Sequence, residues 1–285
     1  MIRTLPRPIA LPRFPIAAGL IALAVVSLWL SAWTVIQWWG HPTDWLIMER
    51  AARLAGSAEL YNTAGSATFV WSPVAAYPLI LLAPLGYGLF TALHFALALA
   101  FPTWPLRIAV LLSWPFWTDV AAGNILTLIF LVTVYALRGH HWAIGTWFAL
   151  ALLIPRPLLV PIGLYLLWTH REWWWPFAAI FVGHALLVWW TGLGPEWIGT
   201  LLAVGSELQA APENIGPSRF VGYWWLVIGL PLAGWLAWKG RLGWAGLALS
   251  PYVWSYYLFW ILPWVNQPMR SSERNPRSLP ARRLR

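Results

Sequence analysis

The 285 residues are 60% hydrophobic and only 9% charged, with a formal net charge of +9 and 26 tryptophans. A water-facing globular surface carries roughly 25% charged residues, so this composition excludes an ordinary soluble domain and calls for lipid over most of the chain. The absence of cysteine excludes disulfides, thiol catalysis and thiolate metal sites. The basic residues sit at the termini and in short loops between apolar runs, which is an orientation signal and not a groove for nucleic acid.

Arg3, Arg7 and Arg13 precede an uncharged run from Ile16 to Ile36. At ~20 residues per crossing this run is long enough to span, and it reads as a retained first helix with a cytoplasmic N-terminus rather than a cleaved signal. Gln37 to Ser72 then lies outside. There, His41-Pro-Thr-Asp44 leads into Trp45–Gly56, where Glu49, Arg50 and Arg53 cluster toward one face. This predicts a helix lying in the membrane interface. Asp44 at its start is either an N-cap or a catalytic base, and one residue can do both.

Residues 61–106 carry no charge and form one long broken span or two short ones split at Pro84-Leu85-Gly86. Two further apolar runs, 108–122 and 125–137, meet at Ala122-Gly123-Asn124 and end at Arg138-Gly-His-His, which reads as cytoplasmic. Runs 142–154 and 157–169 are broken by Pro155-Arg156-Pro157 and end at His170-Arg171, placing Arg156 at the outward tip of a hairpin. A span over 173–191, an outer loop over 192–219 and a span over 220–238 come next. The last apolar stretch, 242–269, turns at Ser250-Pro251 and delivers the basic tail to the inside.

This is an all-α polytopic bundle of about eight to ten spans in residues 1–266, followed by a basic, disordered cytoplasmic tail over 267–285. The expected location is the plasma membrane, multi-pass. Several spans are short: a 13-residue helix covers ~20 Å of a ~30 Å hydrocarbon core. Such ends must open on a protein-lined or water-filled cavity.

On this topology His41, Asp44, Asn124, Arg156, Asn214, Arg219 and the Trp254–Tyr257 segment all face the outer side. Arg156 has the fork that suits a phosphate, or it snorkels to headgroups. Asn124 fits a turn, and His41 could meet phosphate or metal. Trp254 and Tyr257 suit either a sugar face or an interfacial anchor. The acidic residues are too scattered to predict a metal cage.

In this order the residues carry a resemblance. Asp44 with Glu49–Gly56 and Leu60-Tyr61, Phe69-Val-Trp-Ser-Pro73 with Pro84-Leu85, Gly123-Asn124, Ile154-Pro-Arg156-Pro157 and Ser250-Pro-Tyr-Val-Trp254 are together similar to the motifs of one family. It is that of the polyprenyl-phosphate-sugar-dependent glycosyltransferases of the GT-C superfamily. Within it, the chain is most like family eighty-seven, which contains the mycobacterial phosphatidylinositol-mannoside mannosyltransferase. Asn124 stands where that family usually has Gln, Pro155 is additional, and the chain ends soon after the Ser-Pro-x-x-Trp segment.

The resemblance implies a GT-C bundle that moves a hexose, mannose above all, from a polyprenyl-phosphate donor to a hydroxyl on a glycolipid or glycan, with inversion and without a cofactor. It implies Asp44 as general base and Arg156 on the donor phosphate. Asn124, Asn214, Arg219, His41, Trp254 and Tyr257 would contact substrate. The alternatives are a transporter or flippase of lipid-linked sugars, and an inactive truncated homologue.

Overall fold

A computed structural model describes residues 13–38, 42–62, 69–211, 214–262 and 265, with side chains from residue 22 onward except at 38 and 206. His41 and the 267–285 tail lie outside the described residues. Every regular element described is helical: α1 (Arg13–Trp38), α2 (Thr43–Arg53), α3 (Ala76–Leu82), α4 (Gly86–Leu99), α5 (Trp104–Leu111), α6 (Trp114–Ala122) and α7 (Leu126–Ala136). They are followed by α8 (His141–Leu153), α9 (Val160–Thr169), α10 (Trp174–Thr191), α11 (Gly194–Ala210), α12 (Ser218–Val221), α13 (Trp225–Trp238) and α14 (Leu242–Leu249).

Three stretches are long and apolar enough to cross a membrane alone: Pro73–Leu99, Arg171–Thr191 and Ser218–Trp238. The chain is thus a helical membrane protein. Ala22–Gln37, Leu126–Ala136, His141–Leu153 and Pro157–Thr169 are apolar but shorter. Of the two expectations for residues 61–106, the long broken span describes 73–99, with the break at Gly86, where φ is +71°.

Elsewhere the helices depart from the apolar runs, each time for a local reason. The run 108–122 is not one helix. Ser113 stops α5 and its hydroxyl accepts the Phe116 N–H, while Pro115 suits the first turn of α6. The expected loop over 192–219 contains α11, seventeen residues started by Pro195 and Glu196 in its first turn. The stretch 242–269 stops being α-helical at Leu249. Ser250 precedes Pro251, is extended at φ −73° and ψ 127°, and ends α14.

Between Pro251 and Leu262 the chain forms a plug and not a span. Residues 255–261 form a 3₁₀ turn in which Tyr257, Phe259 and Trp260 are fully buried. Phe259 stacks on Phe130 of α7 at 5.0 Å. Against this core, α1 leans on α6 through polar contacts: the Trp114 amide donates to Ser27 at 2.9 Å, and its indole to Thr34 at 3.0 Å.

The α13–α14 hairpin closes the other flank by backbone contact. A Cβ on Gly246 would collide with the Leu158 carbonyl oxygen, and one on Gly229 would stand 2.5 Å from that of Ala248. Gly246→Ala is therefore expected to cost about 1–3 kcal/mol, the usual range for forced overpacking. Gly234→Ala, on an open face of α13, is the control. Thermal unfolding in detergent by tryptophan fluorescence measures both; a Gly246→Ala protein that melts with wild type would refute the close packing.

Candidate functional site

Asp44 enters the site by way of a proline. Pro42 occupies the N-cap position of α2 and Asp44 is the second helical residue, so Asp44 does not cap the helix. Trp45, Met48 and Ala51 bury one face of α2, which leaves the half-buried Asp44 side chain on its margin. There its Oδ2 accepts a 2.5 Å hydrogen bond from the Asn124 amide.

That bond depends on Gly123. It ends α6 in the left-handed region at φ +70°, and a Cβ there would sit 2.6 Å from the Trp45 Cβ. Only glycine lets the start of α2 rest on this turn. Asn124 is oriented by its neighbours: its Oδ1 accepts from the Ile125 N–H at 2.7 Å, which turns the amide nitrogen toward Asp44. Its own N–H donates to the Asp119 carbonyl at 2.9 Å.

Arg156 is held extended between Pro155 and Pro157, at φ −133° and ψ 128°, where α8 ends and the turn before α9 begins. Its Nη1 donates to the Tyr257 hydroxyl, and its guanidinium carbon lies 5.2 Å from that ring's centre. Its Nε is buried with no hydrogen-bond partner.

The two charges are electrostatically coupled. Burial pushes the Asp44 carboxyl up from 3.8, the Arg156 charge and the Asn124 hydrogen bond pull it down, and Asp119 pushes it up. The balance leaves it at about 6.

Asp44, Asn124, Arg156, Trp254 and Tyr256 line one cavity of about 1050 Å³ among α2, α6, α11 and the C-terminal plug. Arg50, Arg53 and Glu207 also line it. The Trp254 and Tyr256 rings lie nearly parallel, 6.2 Å apart. A second cavity of about 600 Å³ adjoins the first and is apolar, walled by Trp147, Phe148, Gly163, Leu167 and Leu201. Arg156, Trp71 and Tyr252 belong to both.

Three predicted residues are placed otherwise. Tyr257 is fully buried behind Arg156 and lines neither cavity. Asn214 is buried and satisfied: it donates to the Gln209 carbonyl at 2.7 Å and accepts from the Gly216 and Val253 amides at 2.9 Å each. Its observed contacts fasten the extended segment that carries Trp254. Arg219 is exposed beside Phe220, away from the cavity walls.

Conversely, the residue pattern does not single out Asp119, His94 or Glu207. Asp119 could have been found as a charge inside an apolar run. Its carboxylate accepts from Leu126 and Thr127 and so caps α7 from seven and eight residues away. Among the described residues no three His, Asp or Glu side chains gather to hold a metal ion. Comparison with known proteins finds no matching family model, no matching characterised protein and no matching solved structure.

Removing the guanidinium takes away a charge that stabilises the carboxylate. Arg156→Gln should therefore raise the Asp44 midpoint above about 6. Carbodiimide reacts with the protonated carboxyl, so labelling of Asp44 near neutral pH should increase, as read by peptide mass spectrometry. An unchanged midpoint would show that the two charges do not interact.

Proposed function

We propose that this chain is an integral-membrane hexosyltransferase of the GT-C kind, with eight to ten spans and a cytoplasmic N-terminus in the plasma membrane. It transfers a sugar, mannose by resemblance, from a polyprenyl phosphate to a hydroxyl acceptor on the extracytoplasmic side. The observation that carries the reading is that Asp44 and Arg156 line a single cavity and that Arg156 also borders an apolar one. A ligand with a sugar, an anionic linker and a hydrocarbon chain needs these three environments in this order.

Asp44 takes the proton of the acceptor hydroxyl as that oxygen attacks the anomeric carbon. The new C–O bond forms while the bond from the anomeric carbon to the phosphate oxygen breaks. Its electron pair leaves on the polyprenyl phosphate, and a single displacement inverts the centre. A carboxyl lifted to about 6 is still mostly ionised at neutral pH and is a stronger base than an ordinary Asp. Arg156 meets the charge that grows on the departing phosphate. Its unpartnered Nε is a free donor for that oxygen. Trp254 and Tyr256 offer ring faces to the sugar, and the apolar cavity accommodates the first isoprenoid units.

Purified protein in vesicles, given a polyprenyl-phosphate mannose and a hydroxyl-bearing glycolipid, should form the mannosylated product. Asp44→Asn should lower turnover by ~10²–10⁴, and the wild-type rate should climb with pH through about 6 as the base ionises. Transfer that survives Asp44→Asn eliminates the base assignment. Sugar that crosses the bilayer without transfer would identify a translocator instead.

A further inference from the structure

We infer that His94 is a positioning residue: it clamps the backbone of the Gly123–Asn124 turn from below and so holds the Asn124 amide on Asp44. For its effect on turnover this rests on the transfer reading above; for its effect on the Asp44 carboxyl it does not.

His94 sits in α4, 2% exposed. An imidazole in the middle of an apolar helix is expensive where leucine would fill the same space, unless its polar atoms are used. Here they are. Nδ1 lies 2.9 Å from the Phe90 carbonyl oxygen, and Nε2 lies 2.6 Å from that of Asn124. Carbonyls only accept, so both contacts are complete hydrogen bonds when both ring nitrogens carry protons. The Asp119 carboxylate, 3.5 Å from Nε2, faces the ring. The ring plane is fixed by Phe90, edge-on at 4.8 Å, and Phe90 in turn packs on Trp45 at 4.7 Å. His94, the turn and the residue next to Asp44 therefore form one stack.

Asn124 is gripped at both ends. Its carbonyl is held by His94, and its side chain holds Asp44. The Gly123 contact with Trp45 prevents the turn from rising, and the histidine prevents it from rotating away. An error of about 1 Å in such a constellation can cost ~10² in rate. The other charges around Asp44 come from Arg156 and Asp119, with Arg50, Arg53 and Glu207 lining the same cavity. None of these contacts the Asn124 carbonyl through an observed hydrogen bond.

The test separates clamping from charge. Full-length protein in detergent is labelled with carbodiimide across pH, and the Asp44 midpoint is read for wild type, His94→Gln, His94→Leu, His94→Asn, Asn124→Ala and the His94→Leu/Asn124→Ala double variant. Loss of one donor to a carboxylate raises its midpoint by about one unit, so Asn124→Ala and His94→Leu should each rise by that amount. The double variant should rise no further, because both act through one bond. His94→Gln is neutral but keeps a donor that reaches the carbonyl, and it should stay within about 0.3 unit of wild type.

If His94→Leu does not fold, the shorter His94→Asn takes its place, with the full rise expected. The inference is overturned if removal of the donor leaves the midpoint unchanged. It is equally overturned if His94→Gln rises as far as His94→Leu, since charge alone would then explain the shift. In turnover assays the clamp predicts a fall in kcat with unchanged KM for the donor in His94→Leu, restored in His94→Gln. A wild type without transfer activity would remove the proposed reaction and leave the titration to decide on His94.

Discussion

The close approach of the α2 N-terminus to the α6–α7 turn is the constraint on which the site depends. Elements far apart in sequence must touch within van der Waals distance for the 2.5 Å bond between Asn124 and Asp44 to exist. A glycine in the left-handed region makes the approach possible, and a proline at the cap keeps Asp44 off the backbone. The acid is consequently free to face a cavity while its neighbour Trp45 is buried. A single methyl group at position 123 would push the two apart, whatever the chemistry of the side chains.

The broken helices have a matching physical logic. A helix end inside a bilayer leaves backbone groups without partners, so each must be met by protein. Ser113 meets one between α5 and α6, and the Asp119 carboxylate meets another at the start of α7. The 255–261 turn fills the space that these short helices leave, and it brings Tyr257 against Arg156. The capping groups Ser113 and Asp119 do not line the cavity themselves, but α6 does, through Trp114, Thr118 and Ala121.

Much of this is legible in the residues, and the failures have causes. The gathering of Asp44, Asn124, Arg156 and Trp254 about one cavity follows from counting basic loops, because the charge rule sorts polar turns by side. The same rule selects Asn214 and Arg219, which do not line it: topology gives the side of a residue but not its direction. α11 is hidden because Gly194-Pro195 reads as a loop signal, although proline in a first helical turn is favourable. The roles of His94 and Asp119 are hidden for a different reason. Each looks like an isolated polar residue in an apolar run, and its use depends on carbonyls and amides thirty residues or a helix away.

The site also carries a cost in stability. A carboxyl raised from 3.8 to about 6 binds its proton more tightly in the folded protein than in the unfolded chain. Its contribution to stability is therefore full below about 3.8 and is lost as pH rises through about 6. At neutral pH the fold holds a partly desolvated carboxylate that the unfolded chain would hold more comfortably. Arg156 and Asn124 offset part of that cost, and neither removes it, because the net shift is upward. A purely structural acid would gain by becoming a surface residue or an amide. One kept half-buried in the same cavity as a guanidinium with an unused donor fits the proposed roles of proton acceptor and phosphate partner.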